Sequence, residues 1–226
     1  MLDSLRAATR LGDAKLDPDA PMAVTGYSEG GGAAGWAAQL QPTYAPELPL
    51  KGVAAGGVPA DLLKVRAHLD GGPYVGFVLA AGIGFKAAYP DLPLTEHLTE
   101  EGRRVAADIA DDCREELVTK TAFRRVSDYT TSDLDQLPAW QARLGENKLG
   151  GVAPPMPLLL YHAERDQLIP YEVGRDLRLA WCAKGATVQW KTYRFSSHSG
   201  AAGEAAPDVA NWIQGRLLGL PAPDNC

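Results

Sequence analysis

No stretch of this 226-residue chain approaches the roughly 18 consecutive apolar residues that a membrane-spanning helix requires. The best candidate, residues 76–85, is uncharged but only about half that length, and reads as a buried helix of an insertion. The opening residues, Met1-Leu2-Asp3-Ser4-Leu5-Arg6, lack the positive start and apolar core of a secretory signal. If the natural protein is exported, its signal lies upstream of Met1. There is no excess of positive charge: 22 Lys and Arg stand against 28 Asp and Glu, a net charge of −6. That balance speaks against nucleic acid as a partner and suits a neutral substrate. Cysteine is scarce. Cys113, Cys182 and Cys226 form no CxxC pair and no Cys/His cluster at metal-ligand spacing. Two readings of them stay open: a Cys182–Cys226 bridge stapling the tail of an exported protein, or three reduced thiols.

What is present is an ordinary globular composition, 46% hydrophobic and 22% charged, with enough length for one sizeable core. Residues 2–12 have the spacing of an amphipathic helix, with Leu2, Leu5 and Thr9 on one face and Gly12 as its C-cap. A Pro/Asp-rich turn follows over 17–21, then a short strand over 22–26 and a small-residue helix over 33–40. Residues 50–57 read as the next strand of a βαβ unit, stopped by glycines. From about 61 to 151 no convincing strand is expected. Val105, Ile109, Cys113 and Leu117 recur at helical spacing there, among Pro/Gly-rich turns. The continuous apolar run of residues 157–162 suits a central parallel strand. A helix over 171–184 ended by Gly185, a strand around Val188 and Trp190, and a helix over 208–218 complete the pattern. A phase slip to Tyr193 and Phe195 suggests a β-bulge.

The chemistry concentrates at Gly26-Tyr27-Ser28-Glu29-Gly30. A serine hydroxyl attacks only when a base takes its proton and an acid holds that base in one tautomer. In the α/β-hydrolase arrangement the serine sits on a tight strand-to-helix turn, with small residues where the backbone crowds. Ser28 has a strand before it and Gly30-Gly31-Gly32-Ala33-Ala34 after it. The same glycines match GxGxxG formally, but the next strand ends in Gly56-Gly57 where a dinucleotide site wants an acid. The chain order of this fold is serine, acid, histidine. Asp166 follows the strand over 157–162, with Glu164 as its rival. His198 follows the last strand, in Ser196-Ser197-His198-Ser199-Gly200. Both are expected on loops at the carboxyl ends of parallel strands, where such sheets build their sites. His68 and His97 fall in the helical insertion and His162 inside a strand, which disfavours all three as the base. The amide of Glu29, the residue after the nucleophile, is the expected oxyanion donor. Gly57, in Gly56-Gly57-Val58-Pro59-Ala60-Asp61, is a candidate for lining the pocket, as is Tyr27 beside the serine.

Together these segments, with Leu2-Asp3-Ser4-Leu5-Arg6-Ala7-Ala8, Tyr44-Ala45-Pro46-Glu47-Leu48 and Tyr89-Pro90-Asp91-Leu92, resemble the secretory lipase family of α/β-hydrolases over nearly the whole chain. The resemblance implies an α/β fold with a core of residues 1–61 and 151–226 and a helical lid over 62–150. It implies hydrolysis of acylglycerol or other carboxylic esters, no cofactor and no metal, and export. Ser28 would be nucleophile, Asp166 acid and His198 base. Phe77 and Phe85, with Val78, Leu79 and Ile83, would be candidates for acyl contact, or simply the lid's own core.

One departure bears on activity. The resemblance implies further strands before the elbow and a loop giving a second oxyanion donor, whereas one helix and one strand precede Ser28. The expectation is therefore roughly four parallel strands with the elbow strand at an edge, in the C-terminal part of a longer protein. Loss of one oxyanion donor lowers kcat by about 10²–10³. An inactive fragment is the alternative reading, and an acyltransferase or peptidase on the same triad is another.

Overall fold

The structure is a computed structural model and describes residues 1–12, 15–17 and 19–226. Part of the turn expected over 17–21, at Pro18, lies outside the described residues. The chain forms two compact units, Met1–Ala60 with Leu149–Cys226, and Asp61–Lys148. It runs α1 (Leu2–Arg10), β1 (Met22–Tyr27), α2 (Glu29–Tyr44) and β2 (Leu50–Gly56). Five helices of the second unit follow: α3 (Leu62–Leu69), α4 (Gly76–Ala88), α5 (Glu100–Asp108), α6 (Arg114–Thr121) and α7 (Pro138–Glu146). The first unit resumes with β3 (Leu158–Ala163), α8 (Tyr171–Cys182), β4 (Val188–Tyr193), α9 (His198–Glu204) and α10 (Ala206–Leu217).

The first unit is an α/β structure. Its four strands pair in the order β1-β2-β3-β4, every pair parallel. Parallel strands need helical crossovers, so both faces are covered and the central strands are largely apolar, with Lys51 of β2 and His162 of β3 as the exceptions. Every residue of β3 is buried. Alternation then divides its side chains. Leu159, Tyr161 and Ala163 join a core with Ala201, Ala205, Val209 and Trp212 of α9 and α10. His162, on the opposite face, abuts Gly174 of α8. β1 lies at one edge of the sheet, and no described strand pairs with its outer side. β4 is the other edge, and the chain's own tail covers it. The Asn225 amide donates to the Val188 carbonyl, and the Asn225 side chain bonds both backbone groups of Trp190. A Cys182–Cys226 disulfide ties that tail to the end of α8, and Cys113 is free and exposed.

Several local expectations need correction. α1 ends at Arg10 with Leu11 as its C-cap, one residue before the expected glycine stop. α2 starts four residues earlier than expected, directly after Ser28. Val105, Ile109, Cys113 and Leu117 do not share one helix. α5 closes at Asp108, and Cys113 caps α6, its amide donating to the Glu116 carboxylate at 2.9 Å. Asp112 between them is turned aside by Lys120 at 2.8 Å. Equal spacing cannot reveal such a break. There is no bulge in β4: its register with β3 is unbroken from Leu158↔Val188 to Ala163↔Tyr193, and Phe195 lies past the strand, 79% exposed. The segment expected as a buried helix forms α4, but only Gly76 of it is buried.

The second unit is helical, with one isolated bridge between Leu98 and Thr130. Leu92, Leu94, Leu134 and Trp140 form a core there, with Phe85 packed against it. No helix among the described residues is long and apolar enough to cross a membrane.

Candidate active site

The site is assembled from the carboxyl ends of the parallel strands of the first unit. β1 runs into Ser28, whose amide donates to the Gly56 carbonyl at 2.9 Å and whose carbonyl accepts from Gly32 at 2.9 Å. The serine is thus locked between the end of β2 and the first turn of α2. Its backbone sits at φ 58 and ψ −120, a region that side-chain-bearing residues rarely occupy. Such strain costs on the order of 1–3 kcal/mol and persists where the surroundings over-determine it. The turn is tight enough that a Cβ at Gly26 would lie 1.9 Å from the Gly30 carbonyl oxygen. As the first residue of α2, Glu29 has an amide with no acceptor inside the helix. Its side chain is exposed.

Asp166 lies on the loop after β3, 8% exposed. Its Oδ1 accepts from the amides of Leu168 and Ile169 at 2.9 and 2.8 Å. Its Oδ2 faces His198 Nδ1 at 2.7 Å. Burial alone would raise the carboxyl pKa, but the bonds from His198, Ile169 and Leu168 outweigh it and hold it below the usual value. An ionised Asp166 accepts the Nδ1 proton, which leaves the lone pair of His198 on Nε2. Glu164 turns away, 3.7 Å from Arg194.

His198 is not on a plain loop. It is the first residue of α9, whose N-cap Ser197 accepts from the Gly200 amide at 3.2 Å. Its backbone is clamped at both ends. Its amide donates to Gln167 Oε1 at 3.0 Å, and its carbonyl accepts from the Tyr27 hydroxyl at 2.5 Å. Burial, followed by the charge of Asp166, raises the Tyr27 pKa, so that hydroxyl keeps its proton. Tyr27 also places its ring 5.0 Å from the imidazole. Gly57 takes φ +53, and a Cβ there would lie 3.2 Å from His198 Cε1 and 3.0 Å from the Tyr27 ring. The residue before Ser28 and the glycine after β2 therefore both seat the imidazole. The Ser28 hydroxyl has no hydrogen bond to His198, a contact that often tightens only once substrate binds.

Phe77 and Phe85 fall in the second unit, where both line a cavity of about 160 Å³. Its wall is apolar apart from a few groups, chiefly Arg66, Thr130 and Asp135. His97 lies in that unit too, bonded to Ser132 at 2.8 Å. Three contributions escaped sequence reasoning: the Tyr27 hydroxyl, the Gln167 side chain, and His162, whose Nε2 lies 3.4 Å from Asp166 Oδ2. For His162 a signal existed, since it stands four residues before Asp166 across the end of a strand.

A parallel sheet that runs into a strained serine turn, with an Asp–His pair beyond later strands, is the architecture of the α/β-hydrolases. The secretory lipase family matches residues 1–225, and the chain belongs to that family. It is 31% identical over 201 residues to the secreted triacylglycerol lipase LIP1 of Malassezia furfur, covering 85% of this chain and 41% of that protein. It is 30% identical over 230 residues to the probable inactive lipase MT1628 of Mycobacterium tuberculosis, covering 100% of this chain and 52% of that one. Among solved structures, Candida antarctica lipase A in its closed state superposes with a TM-score of 0.93 at 27% identity, over 99% of this chain and 54% of the other. The chain thus spans about half the length of the relatives it matches.

Proposed function

We propose that this chain carries the catalytic machinery of a secreted carboxylic ester hydrolase acting on acylglycerol-type lipids, with Ser28 as nucleophile, His198 as base and Asp166 as its orienting acid. The observation that carries this reading is the buried 2.7 Å Asp166–His198 bond, whose histidine is held by Tyr27, the residue just before the strained Ser28. His198 Nε2 takes the Ser28 proton as Oγ attacks the ester carbonyl. The resulting oxyanion is met by the Glu29 amide. The imidazolium then gives its proton to the departing alkoxide, leaving an acyl-serine. Water attacks that acyl group with His198 again as base, releasing the carboxylic acid and restoring Ser28. No step calls on a metal or cofactor. A lipid substrate is supported by the family and by the apolar cavity of the second unit, which Phe77 and Phe85 line. Export is supported by the names of the relatives and by the Cys182–Cys226 disulfide.

A second reading, a family member without activity, is favoured by one observation: the mycobacterial relative named as inactive aligns over the whole of this chain. Hydrolysis of p-nitrophenyl butyrate and tributyrin by the protein and by Ser28→Ala separates the two. Turnover that vanishes with Ser28 supports the proposal. Turnover no higher than that of Ser28→Ala supports the second reading.

A further inference from the structure

His162 is the most deeply buried histidine among the described residues, 1% exposed, and plays no part in the proton transfers above. Its surroundings fix its protonation. Nε2 lies 2.9 Å from the Ile169 carbonyl, which can only accept, so Nε2 carries the hydrogen. Nδ1 has no partner and faces the backbone of α8, where a Cβ at Gly174 would lie 2.4 Å from it. A second proton on Nδ1 would be buried without an acceptor, so the ring stays neutral. The ring is stacked on Trp190 of β4 and meets Tyr171 of α8 edge-on. The charged or titratable groups around it are Asp166, His198, Glu172 and the Tyr171 phenol. Burial, first, lowers its pKa, against the Ile169 bond and the charge of Asp166.

The consequence falls on Asp166. The turn over 166–169 supplies the two amides that hold Asp166 Oδ1, and His162 ties the last carbonyl of that turn to the sheet. The same N–H edge lies 3.4 Å from Oδ2, an electrostatic contact rather than a full hydrogen bond. We propose that His162 is a positioning residue: a neutral Nε2–H donor that anchors the 166–169 turn and thereby holds the Asp166 carboxylate in line with His198. This rests on the Ser28–His198–Asp166 reading. Gly174 belongs to the device, because any larger residue would push the ring off the turn.

The test compares His162→Phe, which keeps an aromatic ring against Trp190 and Tyr171 but has no N–H, with His162→Gln, whose amide can still reach the Ile169 carbonyl. With one hydrogen bond's net contribution removed from the anchored state, kcat for p-nitrophenyl butyrate falls about five- to tenfold in His162→Phe, with KM unchanged. His162→Gln recovers most of the loss. Gly174→Ala, which leaves every group of the site chemically intact, lowers kcat in the same way. Proton NMR reads the same point without turnover, through the low-field Nδ1–H resonance of His198. That resonance shifts or broadens in His162→Phe and persists in His162→Gln. Equal kcat and an unchanged resonance in His162→Phe overturn the proposal, as does an equal loss in His162→Phe and His162→Gln. Hydrolysis that survives Ser28→Ala instead overturns the triad reading, while the resonance still reports on the turn.

Discussion

Replacing Ser28 by glycine rather than alanine should make the protein more stable, against the usual order of those two residues. At an ordinary position alanine is the more stable by about 0.4–1 kcal/mol, because glycine has more backbone freedom to lose on folding. Ser28 sits at φ 58 and ψ −120, held there by its bonds to Gly56 and Gly32. A Cβ in that region carries strain on the order of 1–3 kcal/mol. Alanine keeps the Cβ and the strain, whereas glycine sheds them. The difference leaves Ser28→Gly ahead of Ser28→Ala by about 1 kcal/mol, or roughly 2–4 °C in Tm for a chain of this size. Both variants lack the hydroxyl, so catalysis does not confound the comparison. Urea unfolding or thermal melts followed by circular dichroism measure it. Ser28→Gly melting below Ser28→Ala by the usual glycine margin would refute the reasoning that the elbow stores strain.

Three further outcomes follow from the same geometry. Tyr27→Phe removes the hydroxyl that holds the His198 carbonyl; steady-state kinetics should show kcat down several-fold with KM little changed, on the basis of one lost hydrogen bond of about 1 kcal/mol. The Asp166 carboxyl is held below its ordinary value of 3.8, so its contribution to stability is fully present above that pH and is lost as pH falls through the depressed value. Urea unfolding at about pH 5 and pH 3 should show a gap between wild type and Asp166→Asn that narrows on acidification. Cys226→Ser opens a loop spanning 44 positions, which in the chain-entropy model removes about 4 kcal/mol, and it should raise hydrogen exchange at the amides of Val188 and Trp190, which Asp224 Oδ1 and Asn225 Oδ1 cover.

Much of the fold was legible because its signals are local. The β1 turn needs small residues on both sides of Ser28, and a nearly continuous apolar run such as β3, broken only by His162, has few alternatives in a parallel sheet. The second unit was legible only as helical. Its break between Ile109 and Cys113 depends on side chains that cap and pair, Glu116 and Lys120, and periodicity does not record those bonds. The misplaced bulge has a related cause. Tyr193 is the last residue of β4 and Phe195 is already outside it, so the alternation of side chains ends before the phase slip. Of the candidate site, the residue types and their chain order could be read from sequence. What could not be read is how His198 is seated: by a tyrosine 171 residues away in sequence, by Gln167, and by a glycine with positive φ. Such contacts depend on which strand ends meet, which spacing along the chain does not encode. His162 shows the same limit, since placement within a strand argues against a base and says nothing of what its ring holds.

The central claim is that Ser28 is a nucleophile made reactive by His198 and Asp166. The most direct measurement is covalent labelling of the folded protein with a fluorophosphonate, followed by peptide mass spectrometry. The expected result is a single phosphonyl adduct on Ser28 that is lost in His198→Ala and forms slowly in Asp166→Asn. An unlabelled Ser28, or labelling that proceeds at the same rate without His198, would contradict it.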